Sequence, residues 1–271
     1  MKHAKTNGNH FFEGACCSVR ETCLSDYFKN SIGSGVTIAV IDSGWNYSLI
    51  DSRIQNGTGF VDRFDELSLK VNENYFDENG HGTAVTDLIL RIAPGTTIIP
   101  LKVFGKRLET SVNILVEAIL WCIKKKVKII NLSLGTLLDE ALKPLYQVCE
   151  LAKQYGIIIV SAQSNSNEYS YPSIFENSIG VKNGQLNSIF EIIYLHDEAT
   201  ECIAKGFHED LLYLNGERVK SAGNSFAAPI ITGLVALFSQ NNNQLDLNEA
   251  RNELENYFHF LQDKALNSFV S

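Results

Sequence analysis

The chain has no segment suited to entering or crossing a membrane. Met1 to His10 lacks the apolar stretch of a secretory signal, and the longest apolar run, Phe226 to Phe238, is too short to span a bilayer. It also lacks a basic footprint. Lysine and arginine are scattered, except for Lys124-Lys125-Lys126 at a predicted helix end, where they suit the helix dipole. With a net charge of −8, the composition argues against nucleic acid as a partner, and an anionic membrane surface would repel the protein. No CxxC pair occurs among the six cysteines, which argues against a zinc site. Cys16, Cys17 and Cys23 cluster, whereas Cys122, Cys149 and Cys202 fall one per predicted element, as buried reduced thiols would. Cys16-Cys17 is the one place left for redox chemistry. Internal repeats and linkers are absent. These absences predict a soluble cytoplasmic protein with no nucleic-acid and no membrane partner.

What is present is an ordinary globular composition, 45% apolar and 20% charged over 271 residues. A chain of that length buries roughly three quarters of the surface it exposes unfolded, ample for one core. Strand and helix patterns alternate. Val36–Ile41, Thr97–Val103, Val127–Leu132, Ile157–Ser161 and Ser178–Val181 read as buried strands. Thr83–Ile92, Ser111–Lys125, Leu138–Tyr155, Phe226–Gln240 and Leu247–Phe258 read as helices, with Gly156 closing the third. Repeated strand–helix–strand units predict an α/β fold, a doubly wound and mostly parallel sheet flanked by helices. The expected division is an N-terminal arm and first helix over 1–30 and one main domain over 31–271. Residues 185–220 carry no clear pattern.

Three short segments hold the chemistry: Val40-Ile41-Asp42-Ser43-Gly44, Asn79-Gly80-His81-Gly82-Thr83 and Gly223-Asn224-Ser225-Phe226-Ala227-Ala228-Pro229. Each alone fits a turn or a helix cap. Together they supply an acid, an imidazole and a hydroxyl, each at a strand end or helix start. A serine hydroxyl is a poor nucleophile until a base takes its proton. His81 is the candidate base, and Asp42 the group that fixes its tautomer and stabilises the imidazolium. Doubly wound sheets bind ligands beyond the carboxyl ends of their strands, which places Asp42, His81 and Ser225 on one rim.

In these segments, and in the order Asp, His, Ser, the chain resembles the subtilisin-like serine proteases, the subtilases of S8 type, from about Val19 to about Asn256. The α/β-hydrolase alternative fails, because Ser225 does not sit in Gly-x-Ser-x-Gly. The resemblance implies an oxyanion hole built from the Ser225 amide and an asparagine after a buried strand. Asn165 falls at that position, with Asn167 as the competitor. It also implies that substrate pairs as an extended strand with Ser133-Leu134-Gly135 and with a facing edge at Leu108-Glu109-Thr110. Ser164 stands where subtilases usually have glycine. It should make the pocket before the scissile bond smaller or more polar, and so unfavourable to bulky aromatic residues.

Other departures from the pattern carry expectations too. Asn224 and Phe226 replace the usual Thr and Met, so Asn224 must take over the threonine hydroxyl's assistance to the oxyanion or lose it. The segment after His81 runs straight into Arg91-Ile92-Ala93-Pro94, which implies that a calcium loop is missing and that no metal binds there. Only 41 residues precede Asp42, too few for a chaperone-like prodomain. Asp77 and Glu78 either favour a basic residue two positions upstream of the cut or belong to a solvated loop. His3, His10, His196, His208 and His259 have no motif around them. The implied function is a cofactor-free serine endopeptidase acting on peptide or protein substrates, with a cytoplasmic processing role such as leader-peptide removal or maturation. General intracellular degradation, a catalytically inactive binding module and an acyl transferase using the same acyl-enzyme are the alternatives.

Overall fold

The computed structural model describes residues 27–46, 48–61, 70–166 and 168–268. Cys16, Cys17 and Asn167, and most of the expected 1–30 arm, lie outside the described residues.

Among the described residues, nine strands form one sheet. They are β1 (Thr37–Asp42), β2 (Thr58–Val61), β3 (Lys70–Asn72), β4 (Thr97–Lys102), β5 (Ile129–Leu132), β6 (Ile158–Ala162), β7 (Ile179–Gly184), β8 (Ile192–Tyr194) and β9 (Cys202–Lys205). Their order across the sheet is β3-β2-β4-β1-β5-β6-β7-β9-β8. The strands run parallel except at the two edges, where β3 and β8 pair antiparallel with β2 and β9. A separate antiparallel hairpin joins β10 (Phe207–Leu212) to β11 (Arg218–Ala222). Among the described residues there are five α-helices: α1 (His81–Ile92), α2 (Val112–Lys125), α3 (Asp139–Gln154), α4 (Asn224–Asn241) and α5 (Leu247–Ser268).

Side chains of a strand point alternately to the two faces of its sheet, and here both faces are apolar. Ile38, Val40, Ile98, Ile129, Ile158 and Val160 pack with α1, α4 and α5 on one face. Ala39, Ile41, Ile99, Leu101, Ile130 and Ile159 pack with α2 and α3 on the other. The doubly wound α/β prediction holds. Helix α4 is buried on nearly every side, which explains why its sequence is almost uniformly apolar.

Local signals set the ends. The Ser111 hydroxyl accepts the Ile114 N–H at 3.3 Å and caps α2. Gly156, with φ +70°, follows α3 as expected. Strands β2 and β3 were not predicted, nor were β8 to β11, which occupy the unpatterned 185–220 segment. Because β1 pairs with β4 on one side and β5 on the other, the chain leaves the sheet's centre in both directions beside the end of β1. That crevice is where Asp42 lies.

Candidate active site

Asp42 ends β1 and is fully buried. Its Oδ1 accepts the Ser43 N–H at 2.7 Å. His81 opens α1, and its Nδ1 lies 2.8 Å and 3.0 Å from the two Asp42 carboxylate oxygens. A carboxylate only accepts, so Nδ1 carries the hydrogen and Nε2 is left with its lone pair. Burial lowers the pKa of His81, while the charge and hydrogen bond of Asp42, with help from Asp77, raise it. The net shift is upward.

Two glycines make this approach possible. Gly80, with φ +99°, sits where chirality disfavours any other residue. Gly82 passes so close to the exit of β1 that a Cβ there would come within 2.4 Å of the Gly44 carbonyl oxygen. The Gly82 N–H then donates to the Ser43 hydroxyl at 2.8 Å, stitching helix to strand. Asp77 does the same work from the other side and corrects the sequence reading. It is not a solvated loop residue or a free carboxylate facing substrate. It is fully buried and accepts from the Asn79, Gly80 and Thr83 amides at 2.9, 2.7 and 2.9 Å and from the Thr83 hydroxyl at 2.7 Å. Glu78 is exposed and pairs with Lys102 at 2.7 Å.

Ser225 is the second residue of α4, where backbone N–H groups have no partner within the helix. It lines a cleft of about 700 Å3 together with His81, Asn165, Ser133-Leu134-Gly135 and Leu108-Glu109-Thr110. The cleft therefore gathers most of the residues singled out from sequence. Like Ser133-Leu134-Gly135, the Leu108-Glu109-Thr110 segment lines the cleft without belonging to a strand.

Asn165 follows β6 in a turn. Its Oδ1 accepts the Asn224 N–H at 2.9 Å, which directs the carboxamide oxygen at the helix and leaves the NH2 group as the donor. A Cβ built on Gly223 would lie 3.3 and 3.4 Å from the two carboxamide atoms and 3.4 Å from Ser225 Oγ. Asn165 and the Ser225 hydroxyl thus converge over the bare Gly223 Cα. Asn224 itself is fully engaged. Its NH2 donates to the Gln163 and Ser164 carbonyls at 3.0 and 2.9 Å, and its Oδ1 accepts two hydrogen bonds from Asn183 at 2.7 Å each. No side-chain hydrogen remains to assist an oxyanion. Of the two outcomes open to Asn224, the geometry gives the loss.

A smaller cavity of about 270 Å3 adjoins the cleft, lined by Ser133, Gly135, Ala162, Ser164, Asn165 and Ser225 among others. Ser164 contributes a hydroxyl 2.9 Å from that of Ser166.

One neighbour of the site, Tyr213, was not identified from sequence. The Tyr213 ring, in the hairpin turn, covers Gly80 so closely that a Cβ there would clash with it. Burial, and then the charges of Asp42 and Asp77, push its phenol upward. The Phe226 ring lies 5.1 Å from that of His81. Among the described residues, no three His, Cys, Asp or Glu side chains are grouped so as to hold a metal ion, and no helix is long and apolar enough to cross a membrane.

Residues 33–269 match the family described as the Subtilase family. Subtilisin Savinase of Lederbergia lenta is 29% identical over 235 residues, 83% of this chain and 83% of that protein. M-protease of Shouchella clausii is 29% identical over 83% of this chain, which spans 59% of that longer protein. Among solved structures, a cold adapted subtilisin-like serine proteinase aligns with a TM-score of 0.66 at 22% identity, over 82% of each chain. Sphericase aligns with a TM-score of 0.68 at 22% identity, over 86% of this chain and 87% of its own.

Proposed function

The chain belongs to the subtilase family, and from that premise we propose that it is a serine endopeptidase with Asp42, His81 and Ser225 as its triad. The observation that carries this reading is the His81 ring, anchored through Nδ1 to buried Asp42 at the head of a cleft that Ser225 and Asn165 also line. His81 Nε2 takes the Ser225 proton as Oγ attacks the peptide carbonyl. The oxyanion receives hydrogen bonds from the Ser225 amide and the Asn165 NH2 group. His81 then returns the proton to the leaving amine, and water repeats the sequence on the acyl-enzyme. No cofactor enters. Substrate lies extended between Ser133-Leu134-Gly135 and Leu108-Glu109-Thr110. The Ser164 hydroxyl favours a small or polar residue before the cut, and a peptide-library profile dominated by Phe or Tyr there would count against that assignment.

The proposed setting is limited processing inside the cell. The buried, unpaired thiols of Cys122, Cys149 and Cys202 support a reducing compartment. Against it, a relative 28% identical carries the name minor extracellular protease Epr, in Bacillus subtilis. Cell fractionation decides between the two, and broad casein digestion by the purified protein would favour general degradation over processing. One observation favours a second reading, a binding module that keeps the groove without turnover: the Asn224 amide is committed to the loop.

A fluorophosphonate probe with adduct mapping separates these readings. The expected result is labelling confined to Ser225 and abolished by Ser225→Ala. Folded protein that takes no label would sink the protease reading and favour the binding module.

A further inference from the structure

Helix α4 contains a proline at a position that bears directly on the nucleophile. In an α-helix the N–H of residue i+4 donates to the carbonyl of residue i. The residue four after Ser225 is Pro229, which has no N–H to give. The Ser225 carbonyl therefore lacks its regular helical donor, in a part of the molecule where an unpaired carbonyl is costly.

That donor comes from another element. The Ser133 hydroxyl, just past the end of β5, donates to the Ser225 carbonyl at 2.7 Å. It is held in turn by the Asn131 NH2 group at 3.0 Å. The Thr232 hydroxyl, two turns further along α4, donates to Asn131 Oδ1 at 2.8 Å. The result is a chain from α4 through the sheet and back to α4. All three side chains are buried: Asn131 and Thr232 completely, Ser133 to within 6%. Each bond polarises the next in the same sense, and the low surrounding polarity strengthens all three.

We propose that Ser133, held by Asn131 and Thr232, is a positioning residue that fixes the first turn of α4 against the sheet, and with it the Ser225 hydroxyl and amide. This rests on the reading of Ser225 as the nucleophile. A normal helical bond would tie the Ser225 carbonyl only to its own helix. The Pro229 vacancy hands it instead to β5, a neighbour of the strand that carries Asp42. The nucleophile's main chain is thereby referenced to the same rigid sheet as the acid that holds its base. A misplacement of one ångström between such groups is enough to cost orders of magnitude in rate.

The test uses a suppressor. Ser133→Ala removes the donor, and Pro229→Ala restores the helical N–H that would replace it. The readouts are the rate of fluorophosphonate labelling at Ser225 and kcat and KM on one peptide. Ser133→Ala should slow labelling about tenfold, equivalent to about 1.4 kcal/mol, with the loss in kcat. Adding Pro229→Ala should recover most of that loss. Ser133 also lines the cleft, and a contact with substrate alone would raise KM and would not respond to Pro229→Ala. Thr232→Val, at the far end and away from substrate, should lower kcat in the same sense by a smaller factor. Labelling of Ser133→Ala within twofold of the parent, or a double variant no better than the single one, overturns the inference while leaving the protease reading intact. Failure of the parent protein to label would instead remove the reading on which the inference stands.

Discussion

At His81 two effects of opposite sign meet, and their balance fixes how the site should respond to pH. Burial favours the neutral ring, whereas the Asp42 carboxylate, through charge and hydrogen bond, favours the protonated one and prevails. A base works only when neutral, so kcat/KM should rise with pH through a pKa above the ordinary histidine value of about 6.5. The sign for stability is opposite. The stabilisation from protonated His81 beside Asp42 is complete below that ordinary value and is lost as pH rises through the folded-state pKa. Asp42→Asn removes both the charge and the preferred tautomer. It should move the acid limb of the profile to lower pH and lower the rate by roughly 10³ to 10⁴. An acid limb that stays in place in that variant would mean that Asp42 does not set the ionisation of His81.

At the scale of elements, the start of α1 is the joint on which the site depends, and Asp77 holds it. Asp77→Ala would leave three backbone amides and the Thr83 hydroxyl without their acceptor. The expected loss in urea unfolding is on the order of 3 kcal/mol. Glu78→Ala, one residue on, removes an exposed pair with Lys102 and should cost less than about 1 kcal/mol. Equal effects of the two variants would refute the capping role. This joint was half legible in the sequence. Gly80 and Gly82 marked a close turn around His81, and strict apolar runs gave β1, β5 and β6 because both faces of the sheet are covered. Asp77 was missed because its neighbour Glu78 is a surface residue and burial alternates there within one step. The Asp-x-Asn-Gly spacing, in which a carboxylate can take amides two and three residues on, was the available signal. The hairpin of β10 and β11 gave no such signal. Its strands alternate polar and apolar residues irregularly, and it is held from outside: Arg91 and Arg218 both bind Asp87 in α1 and the Asp210 carbonyl in β10.

Across the whole molecule, the residues that line the cleft were easier to read than the framework that supports them. Asp42, His81, Ser225 and Asn165 come together because each ends a strand, opens a helix or sits in the turn just past a strand on one rim, a placement that follows once the alternation of elements is seen. The roles of Asn224, Ser133 and Thr232 depend on which groups face one another across the sheet, and no spacing along the chain records that. The same view bears on what holds the fold together. Two apolar clusters fill the faces of the sheet, α1 runs unbroken from His81 to Ile92, and β4 begins at Thr97. A stabilising ion would bind the folded state alone, and at a hundred times its dissociation constant it would add about 2.7 kcal/mol. For a chain of this size that is a rise of several degrees in Tm, at roughly 2 to 4 °C per kcal/mol. On the expectation that the calcium loop after His81 is missing, thermal unfolding should give the same Tm in millimolar calcium and in EDTA. A difference of more than about 2 °C would reveal a bound ion contributing to the fold, and titrating its ligands by substitution would locate it.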